Sequence, residues 1–434
     1  MSKNATLKSM FRSLAHRNYR LFFIGQLISM IGTWMQTIAQ SWLIYSLTHS
    51  ATLLGITNFL SLIPALLISP YAGVIADHHN RRHILYVTQA SSMVLALALG
   101  VLTLLNIVQV WQILILAALL GIVNAFDIPA RQAFIVEMVG ETDLINAIAL
   151  NSILTTGAKT IGPAVAGVLV AIVGEGYCFI GNGLSYIPVL ICLYMMHLTH
   201  RKSLHRKASH VEHIVEGFLY VIHKPIIRAL LLLLGLCSMV GLPYAVFMPV
   251  FADEILHGGP KGLGILMGLN GAGALIGALI LSAKVGLRGL GRLVATSCFV
   301  FGLSLMAFSL SRNFWVSGLL MVIVGFSMTL QFASINTLLQ ALVTDHVRGR
   351  VMSFYYMMFI GTTPFGSLIA GALAKPLGVS LTIACGGAIC MLGSILFWRG
   401  LPRFRKSALE LLTAKTQDQV FAATAAVSIP SQKK

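Results

Sequence analysis

Charge is scarce along this chain. Charged residues make up 10% of its 434 positions, where an ordinary soluble domain carries about 25%. Acidic side chains are the scarcer kind, 13 against 30 Lys and Arg. A chain that is 57% hydrophobic has more apolar surface than a soluble fold of this length can cover. Cysteine is also rare, and no two are spaced CxxC: Cys178, Cys192, Cys237, Cys298, Cys385 and Cys390 fall within or at the ends of apolar runs. That excludes a zinc ribbon or a thioredoxin-type redox pair and leaves small core residues. The histidines of the central stretch, His197, His200, His205, His210 and His213, have no acid or Cys at ligand spacing, so no metal site is expected. No nucleotide loop is present either. Gly157-Ala158-Lys159-Thr160 lacks the upstream Gly of a Walker loop, and Gly271 to Gly277 has the wrong spacing inside an apolar run. No cofactor and no enzyme activity are expected.

The apolar residues come in runs of about 20, the length that crosses a bilayer core as a helix. They do not alternate with polar residues, which excludes a transmembrane barrel. Spans are expected at 21–45, 52–76, 84–105, 111–129, 145–173, 177–198, 228–250, 262–283, 293–311, 314–339, 351–374 and 378–398. The formal net charge of +17 raises the question of nucleic acid, and the positions of the basic residues answer it. Of the 30 Lys and Arg, only Lys261, Arg312 and Lys375 fall on one side of such a topology and only Lys159 inside a span. All the others crowd the opposite side in short loops, without a recognition fold. This is the positive-inside pattern, with both termini cytoplasmic. The basic start of the chain leads into a span too long for a cleaved signal.

Internal repetition divides the chain in two. At a spacing of 204 residues Trp111 meets Trp315, Gly121 meets Gly325, and Glu141 meets Asp345. At the same spacing Gly157, Gly162, Gly167, Gly174 and Gly183 meet Gly361, Gly366, Gly371, Gly378 and Gly387. At 209, Gly32 meets Gly241 and Gly55 meets Gly264. The expected organisation is a cytoplasmic segment 1–20, a six-helix bundle 21–198, a basic central loop 199–227, a second six-helix bundle 228–398, and a cytoplasmic, disordered tail 399–434. Parallel repeats of this kind let one mid-membrane site open to each side in turn.

Between the second and third spans stands Gly73-Val74-Ile75-Ala76-Asp77-His78-His79-Asn80-Arg81-Arg82. This segment resembles the signature loop of the major facilitator superfamily, with His78 and Asn80 in place of the usual Arg and Gly. Asp127-Ile128-Pro129-Ala130-Arg131-Gln132-Ala133-Phe134 and Asp345-His346-Val347-Arg348-Gly349-Arg350-Val351 resemble the branch that holds bacterial macrolide efflux proteins and the enterobactin exporter. Asn18-Tyr19-Arg20-Leu21-Phe22 and Glu216-Gly217 with Tyr220 resemble the same branch, and the likeness runs from about Leu14 to Leu401. It implies an all-α membrane protein of 12 transmembrane helices in two pseudo-symmetric six-helix bundles. It also implies a cytoplasmic latch in which Asp77, with Arg81 and Arg82, faces the N-terminus of the eleventh helix near Val351. A carboxylate at a helix N-terminus gains about 0.3 to 1 kcal/mol, which separation of the halves forfeits. The plainer reading of Asp77 is a solvated turn that fixes orientation. Asp127 with Arg131, and Asp345 with Arg348 and Arg350, repeat the theme of acid plus Arg at a helix end. Glu137, Glu141 and Asp143 are expected to be solvated.

Polar residues inside spans need partners or water. Asp127 lies one helical turn before Arg131, so it serves either as the carrier of a coupling proton or as half of a fixed clasp. Gln26, Ser29, Thr33, Gln36 and Gln40 are spaced 3, 4, 3 and 4 and share one face of the first span. A substrate cavity or hydrogen bonds between helices would satisfy them, and they stand as cavity candidates. Gln331 and Ser334, with Ser327, form a weaker stripe. Ser152, Thr156 and Lys159 share a face in the fifth span, next to a Gly162-Pro163 that resembles the antiporter motif of the superfamily. A cation there favours an anionic or catecholate-like ligand; neutralisation by helix carbonyls or an acid is the alternative. Pro364, Gly366 and Gly371 are expected to let the eleventh span bend and pack closely. The whole reads as a secondary active transporter of a bacterial inner membrane, a monomer in lipid that exports a siderophore-like or amphipathic small molecule against a proton. Multidrug or macrolide efflux and metabolite import are the alternatives, and a non-transporting receptor is the reading from a different class. No nucleic-acid partner is expected.

Overall fold

The computed structural model describes residues 12–140, 143–196, 218–284, 286–287 and 289–427, without the side chains of Pro70, Asp77, Ile145, Asp345, His346 and 405–427. The central loop 199–227 therefore lies mostly outside the described residues. After a 3-10 turn at Arg12–Ala15, six helices follow: α1 Arg17–Thr48, α2 Ala51–His78, α3 Arg81–Leu104, α4 Val110–Val139, α5 Leu144–Val173 and α6 Glu175–Met195. The second set is α7 within Pro225–Ile255, α8 Gly259–Ala283, α9 Leu290–Leu310, α10 Phe314–Leu342, α11 in two pieces at Asp345–Ile360 and Thr363–Leu377, and α12 Val379–Val427. Twelve of these segments are long and apolar enough to cross a membrane, and no strand occurs among the described residues. α12 continues past Trp398 as helix to Val427, so the tail from residue 399, expected to be disordered, is helical up to that point. Its Ala, Leu, Gln and Lys content supplies good helix formers.

The repeat read from the sequence reappears as repeated contacts. Gly121 of α4 lies against the Ser61 carbonyl of α2, and its mate Gly325 of α10 lies against the Asn270 carbonyl of α8. Gly183 of α6 meets Leu97 of α3, as Gly387 of α12 meets Met306 of α9. Gly174 and Gly378 end α5 and α11 at φ 85° and 80°, left-handed turns that glycine makes without strain. Each of these contacts in one half has its counterpart 204 or 209 residues on, as a rotation relating the two bundles requires.

The halves meet along α5 with α8 and along α2 with α11. In lipid no hydrophobic gain draws helices together, so close backbone approach over small residues has to do it. A Cβ on Gly167 would land on the Cα of Gly264, and one on Gly55 would stand 3.1 Å from the Cα of Gly371. Thr52 Oγ1 donates to the Gly371 carbonyl at 2.9 Å, and Ser367 Oγ to Asn58 Oδ1 at 3.0 Å. Both seams belong to the face opposite the basic loops. Thr160, Ala164 and Gly167 form the α5 side of its seam, and Ile153 continues that line two turns nearer the basic face, yet it is 60% exposed. Leu279 on α8, on the line of Gly268, is 68% exposed at the same level. The halves are closed on the opposite face and parted on the basic one.

α7 is the irregular span. Helix Pro225–Leu236 gives way to a π segment Cys237–Gly241, a 3-10 segment Leu242–Phe247, one α turn and a second π segment Phe251–Ile255. Pro243 and Pro249 have no N–H to give, which frees carbonyls a turn earlier. The Met239 carbonyl packs instead against Gly366 of α11 and the Val240 carbonyl against Gly386 of α12. α11 breaks at Gly361 and Thr362 ahead of Pro364, the bend expected from Pro364 and its glycines.

Gly264→Val should wedge α5 from α8. Overpacking of this kind costs about 1 to 3 kcal/mol, read as a fall of several degrees in the thermal aggregation midpoint of the purified protein. Gly157→Ala, with open space around the added Cβ, should leave the midpoint where it was. Equal behaviour of the two variants would contradict the seam.

Candidate functional site

The signature segment folds differently from a loop. Asp77 belongs to the last turn of α2, only His79 and Asn80 separate α2 from α3, and the Asn80 side chain accepts from the backbone N–H of Arg82 at 3.0 Å and His83 at 3.4 Å. Asn replaces the expected Gly because this position caps a helix. Arg81 reaches the Ala76 carbonyl at 3.2 Å and pairs with Glu137 at 2.8 Å, while Arg82 donates to the Tyr194 carbonyl at 2.9 Å. Both tie α3 to neighbours in its own half. The side chains of Asp77 and Asp345 lie outside the described set. Arg348 and Arg350 are half-buried in the first turns of an α11 that begins at Asp345 and not near Val351.

Of the acids expected to be solvated, Glu137 is exposed and Asp143 is not. Glu137 is on α4, which continues past residue 134 to Val139, and it meets Arg81. Asp143, 7% exposed, receives Arg12 Nε at 2.8 Å and His16 Nε2 at 2.8 Å, and Ser13 Oγ donates to its carbonyl. Tyr19 donates to the Ala147 carbonyl at 2.8 Å, so the start of the chain is strapped onto the start of α5. Such long-range partners turn loop acids into structural ones. Glu141 lies outside the described residues.

Asp127 is buried at 5% exposure within α4 and fully engaged. Thr88 Oγ1 and Gln89 Nε2 donate to Oδ1 at 2.9 and 2.8 Å, Arg131 Nε stands 3.6 Å from Oδ2, and Arg131 donates onward to Gln26 Oε1 at 3.2 Å. The geometry is that of a clasp joining α1, α3 and α4.

The α1 stripe turns toward helices, not open space. Gln26, Ser29, Gln36 and Gln40 are 2%, 3%, 5% and 8% exposed. Asn182 Nδ2 of α6 donates to Gln36 Oε1 at 2.6 Å, and Thr33 donates to the Ser29 carbonyl and lies 3.4 Å from Tyr186 Oη. Hydrogen bonds between helices satisfy Gln26, through Arg131, and Gln36, through Asn182. Gln331 and Ser334 are both 0% exposed, and Gln331 Nε2 meets Cys237 Sγ at 3.1 Å. The repeat explains their burial: Gln331 stands 204 residues after Asp127 and occupies the same inner face of its own bundle.

α5 does present polar residues to the space between the halves. Ile161, Val168 and Ile172, exposed, mark its outward face, and Lys159 lies roughly 160° around the helix from Ile161. Ser152 and Lys159 are exposed and Thr156 half-buried on that inward face. Lys159 Nζ sits 5.4 Å from the ring centroid of Trp34 on α1, a contact of about 0.5 to 2 kcal/mol. Gly162, against the Cβ of Trp34 and the Ile31 carbonyl, brings the two helices close enough for it. A cation and an aromatic face thus stand side by side on neighbouring helices. Trp34 was missed in the sequence because it lies off the polar stripe. Across the closed face, Tyr45 donates to Glu254 at 2.8 Å; this pair was also missed.

A family model described as transmembrane secretion effector matches residues 8–425. The staphyloferrin A transporter of Staphylococcus aureus is 28% identical over 390 residues, covering 87% of this chain and 95% of that protein. Macrolide efflux protein A of Streptococcus pyogenes is 24% identical over 387 residues, covering 86% and 94%. In fold the chain is similar to a bacterial homolog of the human lysosomal transporter Spinster in an inward-facing and occupied conformation, at a TM-score of 0.72 and 14% identity over 90% of this chain and 98% of that one.

Asp127→Asn should leave the Arg131 guanidinium short of its counter-charge at a cost of about 3 kcal/mol. The expected reading is a several-fold drop in membrane abundance, partly restored by adding Arg131→Gln. Normal abundance of Asp127→Asn with lost flux would contradict the clasp and return Asp127 to proton carriage.

Proposed function

The chain belongs to the transmembrane secretion effector family of major facilitator membrane transporters, and from that premise we propose that it is a proton-coupled exporter of a siderophore-like, anionic small molecule. The observation that carries this reading is Lys159 held beside Trp34 on the inward face of α5. A charge kept within a span, where it costs about 2.5 to 3.5 kcal/mol, calls for a compensating partner, and an acidic aromatic or carboxylate ligand supplies one. Ser152 and Thr156 extend the same face with hydroxyl groups. The positive-inside rule assigns the basic face and both termini to the cytoplasm, so the cleft loads from inside the cell, as an exporter must. The protein acts as a monomer in the inner membrane, its bundles 21–198 and 228–398 rocking about the glycine seams while Asp77 and the Arg residues near α11 latch the cytoplasmic side in the other conformation. The siderophore reading leans on the resemblance to the staphyloferrin A transporter. Multidrug efflux of the macrolide type is the second reading, favoured by the Trp34 face alone and by the resemblance to macrolide efflux protein A.

Everted membrane vesicles with an imposed pH gradient should accumulate a labelled anionic siderophore, and an importer would not. Lys159→Ala should lower that flux about tenfold, the order expected when a charge-assisted contact of about 1.5 kcal/mol is lost. Flux of a cationic macrolide should be nearly unchanged; equal loss for both substrates would contradict the anion assignment. Asp77→Asn should cut flux at normal membrane abundance, and wild-type flux would remove the latch.

A further inference from the structure

We infer that Tyr45 and Glu254 form a proton-sensitive latch at the centre of the closed face, holding the two halves together while Glu254 is ionised and releasing them when its carboxylate takes up a proton. The inference deepens the proposed proton-coupled cycle and rests on it. Tyr45 ends α1 and Glu254 ends α7, and they are 209 residues apart, the spacing that relates Gly32 to Gly241 and Gly55 to Gly264. They are repeat mates of one another. Two equivalent positions touch only where the rotation axis relating the halves passes between them, so this hydrogen bond lies on that axis, midway between the α5 with α8 seam and the α2 with α11 seam. Both seams hold by packing and by neutral hydrogen bonds. Neither of those interactions titrates, whereas the Tyr45 bond to a carboxylate does.

Tyr45 is 1% exposed and its hydroxyl donates to Glu254 Oε1 at 2.8 Å. A bond to an ionised acceptor is roughly twice as strong as a neutral one, so protonation of Glu254 weakens the link without abolishing the contact. Glu254 belongs to the π segment Phe251–Ile255, beyond the irregular stretch of α7. That end of α7 can move with little cost to the helix before it, since the hydrogen-bond ladder is already interrupted between them. Every titratable group around the pair counts. From α1 these are Tyr45 and the exposed His49, whose ring is 5.1 Å from that of Tyr45. From the segment of Glu254 they are Asp253 and His257, and from the start of α8 Lys261. Glu175, at the start of α6, is the third acid of this face. Glu254 bonds across the halves at 2.8 Å, and Asp253 also stands close to the Tyr45 hydroxyl. Glu254 senses proton concentration on its own face and biases the conformational equilibrium by its preference for the open state. Carriage of the coupling proton is a separate task.

The test measures the distance between spin labels at Ile107→Cys and Leu310→Cys, exposed sites on the closed face of each half, with Cys192 and Cys385 replaced by Ala in the full-length protein. No substrate and no gradient is used, so failure of vesicle transport and failure of the latch are read separately. The protein otherwise unchanged should show one short distance at about pH 7.5 and gain a longer one on acidification to about pH 4.5. Glu254→Gln and Tyr45→Phe should show the longer distance at both pH values. His49→Gln and Glu175→Gln should keep the pH response. Glu254→Asp, which retains the carboxylate, must also keep it, and serves if the Gln variant fails to fold. A pH response that survives Glu254→Gln, that vanishes in His49→Gln or Glu175→Gln, or that is absent from the start would overturn the latch.

Discussion

Close approach of backbones over glycine is the constraint on which the structure depends. Within lipid the tails are as apolar as leucine, so two helices gain nothing by merely being hydrophobic, and they gain dispersion contacts only where side chains do not keep them apart. Gly167 on Gly264 and Gly55 on Gly371 give the two halves two such crossings, and both lie on the face away from the basic loops. Two narrow seams without ion pairs make an interface that can close or part as a unit. A broad interdigitated core would not.

The polar residues of the spans divide between two tasks, and the division follows from where water can reach. Asp127, Arg131, Gln26, Thr88 and Gln89 satisfy one another inside the first bundle, and Gln36 with Asn182 does the same further along. These groups make the bundle rigid enough to move as a body. Lys159 instead lies apart from these networks, with the ring of Trp34 as neighbour, and under the proposed function its charge serves a ligand. The first bundle alone carries this cation: the position 204 residues on is Thr363. A symmetric frame therefore encloses an asymmetric site, which lets a pseudo-twofold transporter orient a substrate of no symmetry.

Much of this was readable from the residues, for physical reasons. Spans follow from length and apolarity, the halves from glycines that recur because each bundle needs the same close contacts, and the inward face of α5 from helical periodicity. Other features depended on pairing that no local pattern encodes. The stripe Gln26 to Gln40 had two ways to be satisfied, and the partners that Gln26 and Gln36 take lie on other helices, where no local pattern reports them. The burial of Gln331 follows from its being the repeat mate of Asp127, a relation present in the sequence once the spacing of 204 is applied to polar residues as well as glycines. Asp253 and Glu254 carry no local pattern of their own, and the bond from Tyr45 to Glu254 shows only once α1 is placed beside them. The break in α7 needed Pro243 and Pro249 to be weighed against a strongly apolar run, and apolarity alone does not report it.

The central claim is that Lys159 lines an aqueous cleft open to the basic face while the opposite face is sealed. The most direct measurement keeps Lys159, places Cys at Ser152, exposed on the same face of α5, and follows its reaction with a membrane-impermeant thiol reagent applied to each side of the membrane in turn. The account predicts rapid labelling from the basic face, slow labelling from the other, and protection by an anionic substrate. Reaction only with a lipid-soluble reagent, indifferent to side and to substrate, would contradict it.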